Sequence, residues 1–201
     1  LAQTGSRMYG RYARLEGRGS EWAERHYPED GEGNFYRLDD HIYPAGDPRS
    51  GEFRYEGDEA GDYDDTFFKE TNAAENDFSD LVELCRIVSA PVSGGTAAHP
   101  AIPDHAYPAA VATVLDLDHF YRYIAADALM GNQEGGLQSG RADDVSIYRG
   151  LTDTRFRFVP HDLDDVFNLG TGAGNPETRS IFSYDTASDG VQGLTRLFNH
   201  P

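Results

Sequence analysis

Val145-Ser146-Ile147-Tyr148-Arg149, then Arg155-Phe156-Arg157-Phe158-Val159, then Pro160-His161-Asp162-Leu163-Asp164-Asp165-Val166-Phe167 is the stretch on which the reading of this chain turns. The first two runs are short and rich in β-branched and aromatic residues, which predicts two strands. Gly150 to Thr154 between them is a turn, and Pro160 ends the second strand because it lacks a backbone donor. An acid cluster follows at once. Just before the first strand stand Asp143 and Asp144, at the end of a polar loop that begins Gly131-Asn132-Gln133-Glu134. Ahead of that loop lies the clearest helix of the chain. It starts near Asp116 or Asp118 and runs to Met130, with Leu117, Phe120, Tyr121, Ile124, Ala128 and Met130 as its apolar stripe and Gly131 as its stop. Asp127 interrupts the stripe, and a carboxylate facing a core needs partners.

Further out the signals are shorter. Residues 76 to 89 predict a helix capped by Asp77 or Ser79, with Leu81, Val82, Leu84, Cys85 and Val88 near helical spacing. Cys85 reads there as a core residue, not a nucleophile. Asn34 to Leu38 predicts a short strand. Ser20 reads as the cap of a short helix, Glu21 to His26, ended by Pro28. Period-two apolar positions at Met8, Leu15 and the neighbouring tyrosines predict a strand with turns near the start. Residues 39 to 66 read as loop, and residues 90 to 110, rich in Pro, Gly and Ala, as a connection. No repeat and no sharp compositional boundary divides the chain, so its 201 residues predict one domain of mixed α+β class.

Thirty-five acidic residues against seventeen basic ones give a net charge of −18. That excludes binding to a nucleic-acid backbone and docking on an anionic membrane. No apolar run is long enough to span a bilayer. A single cysteine excludes an internal disulfide framework and a cysteine-built zinc site. Twelve Tyr, eleven Phe and one Trp supply core volume that the aliphatic residues alone would not. Lys69 is the only lysine, so any step that needs a lysine of this chain must use it. The run from Glu56 to Asp65 reads as a solvated acidic loop, since its spacing fits no EF-hand.

The order of elements carries chemistry. A helix ends in a polar loop with Asn132 and Glu134. A hairpin follows, preceded by Asp144 and trailed by Asp162 and Asp164. Protein kinases arrange a helix, a catalytic loop, a metal-binding Asn, a hairpin and a metal-binding Asp in that order. Carboxylate and amide oxygens suit hard cations held against phosphates.

Particular residues sharpen the comparison. The run Tyr123 to Asn132, then Ile147-Tyr148-Arg149, then Phe158 to Phe167 resembles the spore-coat CotH kinase family. Tyr9-Gly10-Arg11-Tyr12 with Leu15-Glu16, Gly33-Asn34-Phe35-Tyr36-Arg37, Lys69-Glu70-Thr71-Asn72 and Asp77-Phe78-Ser79-Asp80-Leu81 also have counterparts there. The similarity runs along nearly the whole chain. It implies an atypical protein-kinase-like fold, with an incomplete small lobe and a more helical large lobe. It implies transfer of the γ-phosphoryl group of ATP to Ser or Thr of a surface or coat protein, with Mg²⁺ or Mn²⁺. It also implies a secreted, cell-surface or spore-coat setting.

Residue by residue, Asp162 falls on the metal-binding Asp of that family and Asn132 on the loop Asn. Glu134 falls where the family usually has the catalytic-loop Asp, and Asp144 where it usually has a metal-contacting Asn. Asp164 is a further oxygen donor to metal. Glu16 falls on the small-lobe acid and Lys69 belongs to a matched segment, so both are expected at the nucleotide. Glu134 is one methylene longer than Asp, and Asp144 adds charge beside the metals. These two departures keep open a kinase-fold binding or scaffold module without catalysis, and a third reading is transfer of a different group, such as a nucleotidyl group. Against the family the chain reads as a fragment, truncated at both ends.

Overall fold

The structure is a computed structural model that describes residues 3–4, 7–8, 17–38, 53–132, 137, 145–161, 163, 166 and 193–200. In chain order its elements are β1 (Gln3–Thr4), β2 (Arg7–Met8), α1 (Ser20–His26), β3 (Asn34–Leu38), β4 (Phe67–Lys69), α2 (Ser79–Val88), α3 (Tyr107–Val114), α4 (Leu117–Met130), β5 (Val145–Arg149), β6 (Arg157–Pro160) and α5 (Thr195–Asn199). β1 and β2 pair as a small antiparallel ribbon. The main sheet is four-stranded and antiparallel, in the order β4-β3-β5-β6. The protein is therefore of mixed α/β class.

Period-two alternation explains why this sheet is covered on both faces. Tyr36, Leu38, Val145, Ile147 and Phe158 pack with α2, α3 and α4 in the larger core. Phe35, Tyr148 and Val159 point the other way, against Ala23 and Trp22 of α1. The predicted strand at Asn34–Leu38 stands as read, and the predicted hairpin forms with Tyr148 opposite Arg157 and Ile147 opposite Phe158. The second strand begins two residues later than the Arg155–Val159 reading and ends one later, at Pro160. Phe156 instead makes a parallel bridge to Leu115, which ties the start of α4 to the sheet.

Four other expectations are corrected. Residues 90–110 are not all connection, because α3 begins at Tyr107. Pro108 sits in its first turn, where a missing N–H costs nothing. Ser20 does not cap α1: it is the first helical residue, and Gly19 holds the cap position without a side-chain bond. The acidic run is not simple loop, since Ala60–Asp62 form a 3₁₀ turn closed by reciprocal bonds between Glu59 and Asp62. At α2 neither Asp77 nor Ser79 holds the cap position: Phe78 does, without a side-chain bond, while the Asp77 carboxylate one residue earlier accepts the Ser79 N–H at 2.9 Å. Cys85 is buried in the core, as expected.

The hairpin turn is held from a distance. The Asp30 carboxylate accepts the N–H groups of Leu151, Thr152 and Asp153 at 2.8, 2.7 and 2.9 Å. Tyr148 donates its hydroxyl to the Asp30 carbonyl and accepts the Gly33 N–H. Backbones approach so closely there that a Cβ on Gly33 would stand 2.0 Å from the Arg149 carbonyl.

Candidate functional site

α4 and β6 advance side by side in the same direction. Asp116 caps α4, accepting the His119 N–H at 3.2 Å, and its own N–H bonds the Phe156 carbonyl at 3.0 Å. Farther along, the Phe120 and Tyr123 rings lie 5.1 and 5.6 Å from Phe158. The first two turns of α4 are thus fastened to β6. Its stop is Gly131, left-handed at φ 62°, a conformation that suits a residue without a Cβ. The following N–H, of Asn132, bonds the Asp127 carbonyl at 3.1 Å, as helix ends of this kind do. Asn132 is thereby turned inward and is 1% exposed.

Asp127 is buried too, at 3% exposure, so the break in the apolar stripe noted in the sequence does face the interior. Burial pushes the Tyr123 phenol well up, and the nearby Asp127 charge pushes the same way. Tyr121, assigned to the stripe, instead stands 54% exposed, while Tyr123 packs against the core in its place.

Val145 and Pro160 are register partners. The chain thus enters β5 and leaves β6 at one end of the sheet, with Asp144 one residue before and Asp162 two residues after that pair in sequence. Asp144, Asp162, Asp164, Glu134 and Glu16 themselves lie outside the described residues. Among the described residues no group of three or more His, Cys, Asp or Glu is placed to hold a metal ion.

Lys69 lies elsewhere. It sits on β4, the edge strand opposite β6, and pairs with Tyr36, which pairs with Ile147. Three strand spacings put β4 about 14 Å across the sheet from β6, and Ile147 is about 7 Å along from Val145. The Lys69 ammonium donates to the Asp77 carbonyl. It also lies 5.7 and 5.8 Å from the Tyr36 and Phe78 ring centres. Of the two described candidates, Asn132 is buried just after the stop of α4, and Lys69 lies on the edge strand β4.

Two features escaped the sequence reading. Asp80 collects the Asn34 amide at 2.8 Å, the Tyr36 hydroxyl at 2.6 Å and the Arg149 guanidinium at 3.6 Å. Asn34 and Tyr36 share a strand face by alternation, which is the signal for this cluster; the helix end that meets them has no sequence signal. It borders a polar cleft of about 500 Å³ between Gly33, Asn72 and Arg149. The second is Arg18, within a run read only as a break, whose guanidinium donates to the Pro160 carbonyl at 3.0 Å.

The described residues form a mixed α/β domain around a four-stranded antiparallel sheet. The chain is a member of the CotH kinase protein family, whose model matches residues 5–199, nearly the whole sequence. No curated protein matches the chain.

Proposed function

We propose that this domain transfers the γ-phosphoryl group of ATP to Ser or Thr hydroxyls of a protein acceptor. The observation that carries the reading is the register of β5 on β6, which pairs Val145 with Pro160, the near sequence neighbours of Asp144 and Asp162. Asp162, Asp144 and Asp164 would hold Mg²⁺ or Mn²⁺, since carboxylate oxygens are the donors these hard cations take. The cation would neutralise charge on the transferring phosphoryl group. Glu134 orients the attacking hydroxyl, and Asn132, fixed by Gly131, sets the loop that carries Glu134. The fold would then be kinase-like.

The test is Asp162→Asn in the full-length protein, a change that nearly keeps shape and removes charge. It should abolish ATP-dependent labelling of a Ser-rich acceptor and leave the metal-free melting temperature unchanged. Retained phosphoryl transfer in the folded variant would remove Asp162 from the mechanism and the kinase reading with it. Glu134 and Asp144, each unlike the usual family residue, favour a second reading as a non-catalytic binding module. That reading predicts MgATP binding or acceptor binding with no labelling in the unaltered protein.

A further inference from the structure

We infer that α1 and the loop to Asp30 form a cover that lifts from the sheet as a unit while the larger core stays folded, with the Asp30 carboxylate as its latch. The device does not depend on the phosphoryl-transfer reading above. α1 is seven residues long, and its cap position carries no side-chain bond. A helix that short has little stability of its own and depends on the face it buries. Of its residues only Ala23 is buried, whereas α2 buries Leu81, Val82, Leu84, Cys85 and Val88 out of ten. Ser20, Glu21, Glu24, Arg25 and His26 are all exposed. A segment that buries so little opens at a lower free energy than the core it lies on.

The chain on either side of the cover is tied to the sheet. Arg18, just before it, bonds the Pro160 carbonyl, and Asn34, just after it, begins β3. Between those ends the cover is seated by rings: Trp22 meets Phe35 edge-on at 5.2 Å, and Tyr27 stacks on Tyr148 at 4.6 Å. Trp22 and Tyr27 are half-buried, while Phe35 and Tyr148 beneath them are fully buried. Lifting the cover therefore bares an aromatic face of the sheet and breaks no strand pair. What holds it down at its far end is Asp30, whose carboxylate takes the Leu151, Thr152 and Asp153 N–H groups. Bonds to an ionised acceptor are roughly twice as strong as neutral ones, and these three end on a turn outside the strands, so they can part without disturbing the ladder.

Trp22, the only tryptophan, reports on the cover, and Cys85, the only cysteine, reports on the larger core. The experiment follows both across a urea series, Trp22 by acrylamide quenching of its fluorescence and Cys85 by pulsed alkylation with iodoacetamide. It compares the unaltered protein with Asp30→Ala and with Asp104→Ala, which removes the ion pair to Arg196 at the other layer. In the unaltered protein Trp22 should become quenchable at lower urea than Cys85 becomes reactive. Asp30→Ala should raise the open population of the cover about tenfold or more and leave the Cys85 transition in place. Asp104→Ala should leave the interval between the two transitions unchanged. Coincident Trp22 and Cys85 transitions in the unaltered protein overturn the separate cover. A Trp22 transition that Asp30→Ala leaves unmoved overturns the latch, and so does an Asp30→Ala protein in which both transitions fall together or the core does not fold.

Discussion

At the scale of single residues, two groups report on the fold through their ionisation. Asp153 is bonded by Arg155 at 2.8 Å and also paired with Arg157. The Arg155 bond, set against partial burial, holds its carboxyl down to about 2. An unfolded Asp titrates near about 3.9, so this group stabilises the fold fully above that pH and loses its contribution as the pH falls toward 2. Asp153→Asn should cost about 1 kcal/mol at pH 7 and much less near pH 2, read from urea denaturation at both values. Cys85 shows the opposite effect: burial pushes its thiol far up, away from the reactive thiolate. Iodoacetamide at neutral pH should leave it untouched in the native protein and alkylate it only as urea unfolds the chain. Labelling of the native protein would place Cys85 outside the core.

Elements show where the sequence could be read and where it could not. β3 and β5 were legible because Asn34–Leu38 and Val145–Arg149 are short runs of branched and aromatic residues between breakers. α4 was legible because its cap, Asp116, and its stop, Gly131, bracket a periodic run. Its buried face was read less well. Tyr121 counts as apolar by type, yet the angle set by Phe120 and Asp127 turns it to solvent and brings Tyr123 inward. α3 was missed because a Pro inside an Ala-rich run looks like a breaker, although the first helical turn tolerates it. Order within the sheet carries no local signal at all, since β3 lies between two strands from other parts of the chain. Of the candidate site, types and order were legible, while the commitment of Lys69 to a carbonyl and two rings depends on tertiary placement. The stop of α4 has its own consequence. Gly131→Ala forces a Cβ into a left-handed backbone with open space around it, so strain alone should cost about 1–2 kcal/mol. Under the proposed function, phosphoryl transfer should fall by more than stability does, because Asn132 is aimed by that residue. Equal loss of both, measured by urea denaturation and acceptor labelling, would make Gly131 a purely structural stop.

For the whole molecule, the two faces of the sheet divide the labour. α1 covers one face with Trp22 and Ala23, and α2, α3 and α4 cover the other. α5 then locks the second layer from outside: Arg196 donates to the carbonyls of Ala90 and Ile102 at 2.7 and 2.6 Å and lies 3.9 Å from the centre of the Tyr107 ring. The register that sets Phe35 of β3 opposite Tyr148 of β5 also dictates how the protein can come into being. While the ribosome is still making α4, β3 has only β4 for a partner, and a three-residue edge is too little to hold a sheet. Its aromatic side chains wait, uncovered on one side, until the hairpin emerges and inserts itself. The Asp30 carboxylate, which receives the turn in the finished fold, is already synthesised by then. Folding is therefore a late, long-range closure rather than a stepwise accretion, slow by the rule that distant contacts cost loop entropy before they repay it. A nascent chain stalled before Val145 presents a half-built sheet, and that intermediate, more than the finished molecule, is where this protein is exposed to aggregation and to chaperones.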